Sequence, residues 1–200
     1  GDQIAEYARR VSEQSGGSIV VEPVFHAAGD DTQGDWDQRV ARLVMTGELD
    51  LGLVPTRAWD TEGVDSMRAL NTPFLVTTDE LVAKIVTDDI ADEMLAGLDG
   101  TGVVGLALVP EGLRHPFGFA EPLLAPDDFD GAVIRTPTSS TVSAMFAALG
   151  ATTTQETPDV ELHDGMESSF VLTPTGTATG NVTFFPKINS IVINADLFNN

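Results

Sequence analysis

Eight consecutive residues without a charged side chain, Gly102-Val-Val-Gly-Leu-Ala-Leu-Val109, limit what this chain can fold into more than any other stretch. The run is too short to cross a bilayer and reads as a strand buried by its continuous apolar pattern. A strand covered on both faces needs layers above and below it, the arrangement of an α/β sheet with helices on both sides. The flanking sequence supplies those layers. Residues 2–14 carry Ile4, Tyr7, Ala8 and Val11 at helical spacing, Gly16-Gly17 stops the helix, and residues 18–25 (Ser-Ile-Val-Val-Glu-Pro-Val-Phe) read as a strand. A polar loop leads to a second helix over 36–45, and residues 50–54 are the next strand. This β–α–β rhythm predicts parallel strands joined by crossover helices.

Farther along, residues 78–98 are helical by pattern, Pro110-Glu-Gly112 is expected to break the apolar strand, and residues 113–119 are extended again. The rhythm then restarts. Asp130-Gly131 turns into the short strand 132–134, which ends on Arg135, and Val142 to Leu149 reads as the following helix. Residues 150–187 are rich in Thr, Gly and Pro with one expected helix over 158–163, and residues 188–194 form a last strand. No internal repeat is present.

Charge excludes whole classes of partner. A formal net charge of −21 over 200 residues leaves no basic face for nucleic acid or for an anionic membrane surface. The acids are scattered, so they describe a solvated surface and not an acidic tail. The absence of cysteine removes disulfides, thiolate nucleophiles and cysteine-based zinc sites. The three histidines, His26, His115 and His163, lie far apart with no metal-binding spacing, and the Asp30-Asp31 and Asp127-Asp128 pairs lack the alternating acids of a calcium loop, so no metal and no cofactor is expected. The sequon at Asn181 carries no weight, being common by chance.

What remains is a constellation suited to binding. Arg57 follows the strand 50–54, with Trp59 two residues on; Arg114 follows the break after 102–109; Arg135 ends its own strand. Three of only eight arginines thus fall at or just past strand ends, where an open α/β sheet forms its ligand crevice. Guanidinium groups grip carboxylates through two parallel hydrogen bonds. On spacing alone, a salt bridge between Arg135 and one of the many acids is the plainer reading. Neither a nucleophile–base pair nor a phosphate loop is visible, so anion capture fits these residues better than turnover.

The order of motifs resembles the extracytoplasmic solute receptors of tripartite ATP-independent periplasmic (TRAP) transporters, the DctP type. Ser15-Gly-Gly-Ser-Ile-Val-Val-Glu, Thr46-Gly-Glu-Leu-Asp-Leu-Gly and Asn71-Thr-Pro-Phe-Leu resemble successive elements of that family. The most specific piece is Ala125-Pro-Asp-Asp-Phe-Asp-Gly-Ala-Val-Ile-Arg-Thr-Pro, similar to its "Pro-x-Asp-hydrophobic-x-Gly-x-x-hydrophobic-Arg-x-Pro" signature. The resemblance implies a two-lobed, periplasmic-binding-protein-like α/β fold (type II-like), with a ligand cleft between the lobes and hinge strands joining them. Lobe I would span residues 1–111 and lobe II residues 112–187, with 188–200 a strand returning across the hinge. Arg135 would clamp the ligand's carboxylate, Arg114 would assist, and Arg57 and Trp59 would tune the choice of solute. Asp164-Gly-Met-Glu-Ser168 resembles a step in which the family has a ligand-contacting asparagine, here Ser168. Relatives start with a further strand and continue past residue 194, so the chain is expected to be a trimmed piece. The implied function is capture of a small organic acid outside the cytoplasm and its delivery to a TRAP permease, with no enzyme activity. A ligand-sensing domain of the same fold, and an α/β hydrolase or isomerase, are the alternatives.

Overall fold

A computed structural model describes residues 2–29, 34–156, 159–169, 172–173, 176–178 and 182–199. The Asp30-Asp31 pair, Pro158 and Asn181 lie outside the described residues. The chain divides into two compact units, Gly1–Asp30 and Asp31–Asn200.

The first unit holds α1 (Asp2–Gln14), whose surface is laced by ion pairs of Arg9 and Arg10 with Glu6 and of Arg9 with Glu13. The helix stops where expected. Gly16 and Gly17 both adopt positive φ, and the Gly17 N–H closes back on the Ser12 carbonyl at 2.8 Å. The strand expected over 18–25 does not form: no described strand pairs with the segment, and Ile19, Val20, Val24 and Phe25 are exposed. A β-prone sequence without a neighbouring ladder has nothing to satisfy its backbone groups in strand geometry.

In the second unit, α2 (Trp36–Met45) leads to β1 (Leu51–Pro55) and a 3₁₀ turn (Thr56–Thr61). A short α3 (Arg68–Asn71) precedes α4 (Asp79–Ile85) and α5 (Asp89–Ala96). The single helical stretch expected over 78–98 is therefore two helices. Asp88 starts the second by accepting the Ile90 N–H, just as Thr78 starts the first by accepting that of Leu81.

The apolar strand is longer than its sequence suggests. Strand β2 (Val103–Gly118) runs straight through Pro110-Glu-Gly112, which forms an irregularity in the ladder instead of a break. The register also shifts between Gly105 and Ala107, and proline is tolerated at such bulges. Nor is the strand wholly buried, since Leu106 and Val109 are 41% and 36% exposed.

The remaining elements are β3 (Val133–Arg135), α6 (Ser140–Ala148), β4 (Thr152–Thr154), β5 (Gly165–Ser168), β6 (Leu172–Thr173), β7 (Gly176–Ala178), β8 (Phe185–Asn194) and α7 (Ala195–Phe198). A 3₁₀ turn at Pro126–Phe129 precedes β3. The helix expected over 158–163 reduces to one turn, closed by the His163 N–H on the Asp159 carbonyl. The sheet order is β1-β8-β2-β5-β3-β4, with β7 joining β2 to β6. Among the described residues, parallel pairing holds only for β3 with β4 and β5. Strands β1 and β2 do share a direction, as the crossover helices require, but β8 lies between them and pairs antiparallel with both. Sequence order alone does not show that the last strand returns to the middle of the sheet.

Two hydrophobic cores result. The first gathers Ala41, Val44, Val54, Trp59, Leu70, Leu98 and Val103. The second gathers Phe129, Ile134, Val142, Phe146 and Phe184, with ring centroids 5.6 Å apart for Phe146 and Phe184. Strand β8 contributes to both, Phe185 to the second and Ile188 and Val192 to the first. Its partner β2 likewise pairs with β8 over its first part and with β5 and β7 at its end, so these two long strands connect the cores.

Candidate ligand-binding site

Strand β3 ends on Arg135, between Thr154 of β4 and Met166 of β5 in the parallel ladders. The side chain is nearly buried, at 9% exposure. Its Nε donates to the Glu156 carbonyl at 3.1 Å, and the guanidinium lies 5.5 Å from the centre of the Trp36 ring, a cation–π distance. Among the described residues no carboxylate pairs with it. Every other arginine of the chain has one: Arg9 and Arg10 pair with Glu6, Arg39 with Asp35, Arg42 with Glu62, Arg57 with Asp37, Arg68 with Asp65 and Arg114 with Glu167. Burial, first of all, lowers the affinity of Arg135 for its proton; Glu167 opposes that, Arg57 and Arg114 reinforce it, and Asp37 opposes it again. Four charged side chains thus set the field at Arg135.

Two of the four are the other arginines picked out in the sequence. Arg57, on the 3₁₀ turn after β1, is buried and donates from Nη2 to Asp37 Oδ2 at 3.0 Å. Arg114, on β2, points Nε at the Glu167 carboxylate, Nη2 at the Glu167 carbonyl (2.9 Å) and Nη1 at Ser169 Oγ (3.3 Å). Burial works against its charge, but the attraction of Glu167 outweighs that and raises its proton affinity. The Glu167 side chain has no exposed surface. Ser168, next along β5, is also buried and faces His115 in the β2 ladder. Trp59 is elsewhere. It has no exposure, packs in the first core and donates its indole N–H to Ser190 Oγ at 2.9 Å, which makes it an anchor between the 3₁₀ turn and β8.

Sequence reading missed Trp36, Asp37, Gln38 and Glu167. The first three open α2, and Gln38 is 1% exposed, donating Nε2 to Thr138 O (2.9 Å) and Thr61 Oγ1 (3.1 Å). Four buried polar atoms here have no hydrogen-bond partner: Gln38 Oε1, Arg57 Nε, Thr136 Oγ1 and Glu167 Oε1. Buried polar groups are nearly always satisfied, so each of these open atoms is a candidate for a further polar contact. Counting charge within the group, three guanidinium cations stand against two carboxylates.

The site is also where elements of the two cores meet. The Thr138 N–H donates to the Gly34 carbonyl at 3.2 Å, and a Cβ on Gly34 would fall 2.4 Å from that of Gln155, so only glycine allows this approach. Asp60, on the 3₁₀ turn, accepts from Ser139 Oγ (2.7 Å), Thr141 N (3.1 Å) and Ser140 N (3.3 Å), capping the N-terminus of α6 from across the chain. Two surface grooves, one beside Pro73 and Met145 and one beside Pro122 and Asp164, contain none of the charged group. Among the described residues there is no cluster of three metal-ligating side chains, and no helix is long and apolar enough to cross a membrane.

Residues 1–171 match the family model described as DctP, bacterial extracellular solute-binding protein, family 7. Among curated proteins, an uncharacterized protein, y4mM, of Sinorhizobium fredii is 28% identical over 151 residues, covering 76% of this chain and 27% of its own length. The C4-dicarboxylate-binding periplasmic protein DctP of Rhodobacter capsulatus is 29% identical over 89 residues, covering 44% of this chain and 26% of its own length. Among solved structures, a TRAP periplasmic solute-binding protein of a Bradyrhizobium species, in complex with D-galacturonate, superposes with a TM-score of 0.79 at 21% identity, over 96% of this chain and 66% of that one. The fold is that of the two-lobed TRAP solute-binding proteins, and the chain spans only part of the length of the relatives it matches.

Proposed function

Because the chain belongs to the bacterial extracellular solute-binding protein family 7, we propose that it captures a small organic acid outside the cytoplasm and presents it to a TRAP-type membrane permease. One observation carries the reading: among the described residues Arg135 is the arginine without an acid, held almost buried at a strand end. A guanidinium removed from water without a counterion is costly, and a ligand carboxylate accepted by its two terminal nitrogens relieves that cost. Glu156 and Trp36 support the reading, since they occupy the Nε and one face of the guanidinium and leave the bidentate edge for the ligand. Arg57 and Arg114 act differently from Arg135, as fixed cations whose field favours an anion while their own hydrogen bonds go to Asp37 and Glu167. Ser168 belongs to the wall behind Glu167.

The two cores are the proposed lobes, one centred on residues up to 111 and the other on 112–187, with 188–200 returning between them. Contacts made by α2 and the 3₁₀ turn to the far side of β3 would exist only when the lobes are closed. A ligand touching both lobes favours that state by its differential affinity. The relatives' ligands, dicarboxylates for the Rhodobacter protein and galacturonate for the Bradyrhizobium one, share a carboxylate, which is the part Arg135 would read. Calorimetric titration of organic acids tests the assignment. Arg135→Ala is expected to lose affinity by about 100- to 1000-fold, the usual cost of removing one partner of a buried charged pair. Equal affinity of the variant and the parent rules the clamp out.

A further inference from the structure

The two tryptophans of the chain are placed to different ends. Trp59 has no exposed surface, packs in the first core and donates its indole N–H to Ser190. Trp36 is half-buried at the start of α2 and, among the described residues, joins neither core. Helix α2 turns Gln38, Ala41 and Val44 inward. At 3.6 residues per turn, Trp36 stands about 140° around the helix from the centre of that stripe. Packing α2 therefore does not call for an aromatic ring at this position. The ring lies instead under the Arg135 guanidinium, whose central carbon is 5.5 Å from the ring centre.

We propose that Trp36 is a positioning residue for ligand capture: its ring takes the place that an acid takes at each of the other arginines, orienting Arg135 while leaving its charge free. This rests on the reading that Arg135 holds the ligand's carboxylate.

The two kinds of partner act on a guanidinium in different ways. A carboxylate accepts the N–H groups at the edge and cancels the charge, so an incoming acid has to compete with it. Arg57 is in that position, with Asp37 at 3.0 Å from its Nη2. An aromatic face attracts the cation through the ring quadrupole, and arginine can stack on it with its in-plane donors still available. The Glu156 carbonyl on Nε, at 3.1 Å, and the ring together fix the plane of the group without occupying its terminal nitrogens. The ring also comes from the opposite side of the site. Helix α2 packs on the first core through Ala41 and Val44, whereas β3 belongs to the second core through Ile134. Removing the ring thus frees Arg135 to turn without emptying either core.

The test combines calorimetry with fluorescence on the full chain. D-galacturonate and L-malate, a mono- and a dicarboxylate, are titrated into the parent, Trp36→Leu, Trp36→Phe and Arg135→Ala. Leucine fills space without a quadrupole, and phenylalanine restores a weaker one. Trp36→Leu is expected to weaken binding about tenfold and Trp36→Phe by less, both with ligand-free melting temperatures close to the parent's. Fluorescence of the ligand-free protein reads the stack itself, because Trp59 is the only tryptophan left in Trp36→Phe. Adding Arg135→Ala should alter the emission of the parent and leave that of Trp36→Phe as it was. Equal losses in the leucine and phenylalanine variants make the ring mere packing and overturn the positioning role. So does full affinity in Trp36→Leu, or a parent emission indifferent to Arg135→Ala. If Arg135→Ala still abolishes binding in those cases, the receptor reading stands. Binding of neither acid, or binding indifferent to Arg135→Ala, overturns the receptor reading and this inference with it.

Discussion

Helix α1 and the β3 site are built from the same side chains to opposite ends. On α1, Arg9 and Arg10 lie in water between Glu6 and Glu13, so that every guanidinium has a carboxylate one turn away. At the site, Arg57 and Arg114 are paired with Asp37 and Glu167 out of water, and Arg135 is left over. The helix arrangement is fully compensated and screened, so it has no use for a ligand and contributes little to stability. The site holds a surplus charge where solvent cannot satisfy it. In the proposed function, ligand capture follows from that imbalance more than from the number of arginines.

The contrast breaks first at Arg114. Removing it strands the Glu167 carboxylate in a place with no solvent, which is expected to cost about 3–5 kcal/mol and to lower the melting temperature accordingly. Arg135→Ala should do the reverse, leaving the ligand-free melting temperature unchanged or higher, because the group it removes has no charged partner. Thermal unfolding of the two variants without ligand decides the matter. A large destabilisation by Arg135→Ala would show that the residue is a structural pair whose acid was overlooked, the plainer reading with which the sequence began.

A smaller effect is expected where the two cores touch through a helix end. Asp60→Asn keeps the shape of the cap on α6 but removes its charge, a change worth about 1 kcal/mol at a helix N-terminus. If the contact belongs to the closed arrangement, the loss appears mainly as weaker ligand binding, roughly fivefold, with a small change in ligand-free stability. The same loss seen fully in the ligand-free melting temperature, with affinity intact, places the cap in both arrangements.

How much of this was legible beforehand depends on range. Arg135 was readable because its cues are local: a turn, three apolar residues, then proline and hydroxyls within a dozen positions. The placement of Arg57 past a strand end was readable for the same reason, whereas Arg114 lies within β2, which continues through Pro110-Glu-Gly112 to Gly118. Their occupancy was not legible. Arg57 meets an acid twenty residues away and Arg114 one fifty-three residues away, and no periodicity connects such positions. The core packing of Trp59 was not legible, because its burial depends on where β8 returns, which places Ser190 against its indole. The unformed strand over 18–25 and the antiparallel insertion of β8 have one cause between them. Strand propensity is a statement about one segment, whereas a ladder needs a second one.

The smallest expected effect sharpens the comparison from the other side. The Arg9 and Arg10 guanidinium groups hold the Glu6 carboxyl down at a pKa of about 2, below its ordinary value of 4.5. A depressed carboxyl stabilises the folded state at pH values above the unfolded pKa, and that contribution is lost as the pH falls from about 4.5 toward 2. Glu6 is fully exposed, so solvent and salt screen most of the effect. Arg9→Ala should therefore leave ligand affinity unchanged. It should shift the melting temperature at neutral pH by no more than an ordinary surface substitution does. Any difference between variant and parent should shrink further in high salt or below pH 3. If Arg9→Ala instead weakened binding or stability as much as Arg114→Ala, solvent exposure would not be what separates the two groups of arginines. The surplus charge at Arg135 would then lose its claim to be the feature that selects a ligand.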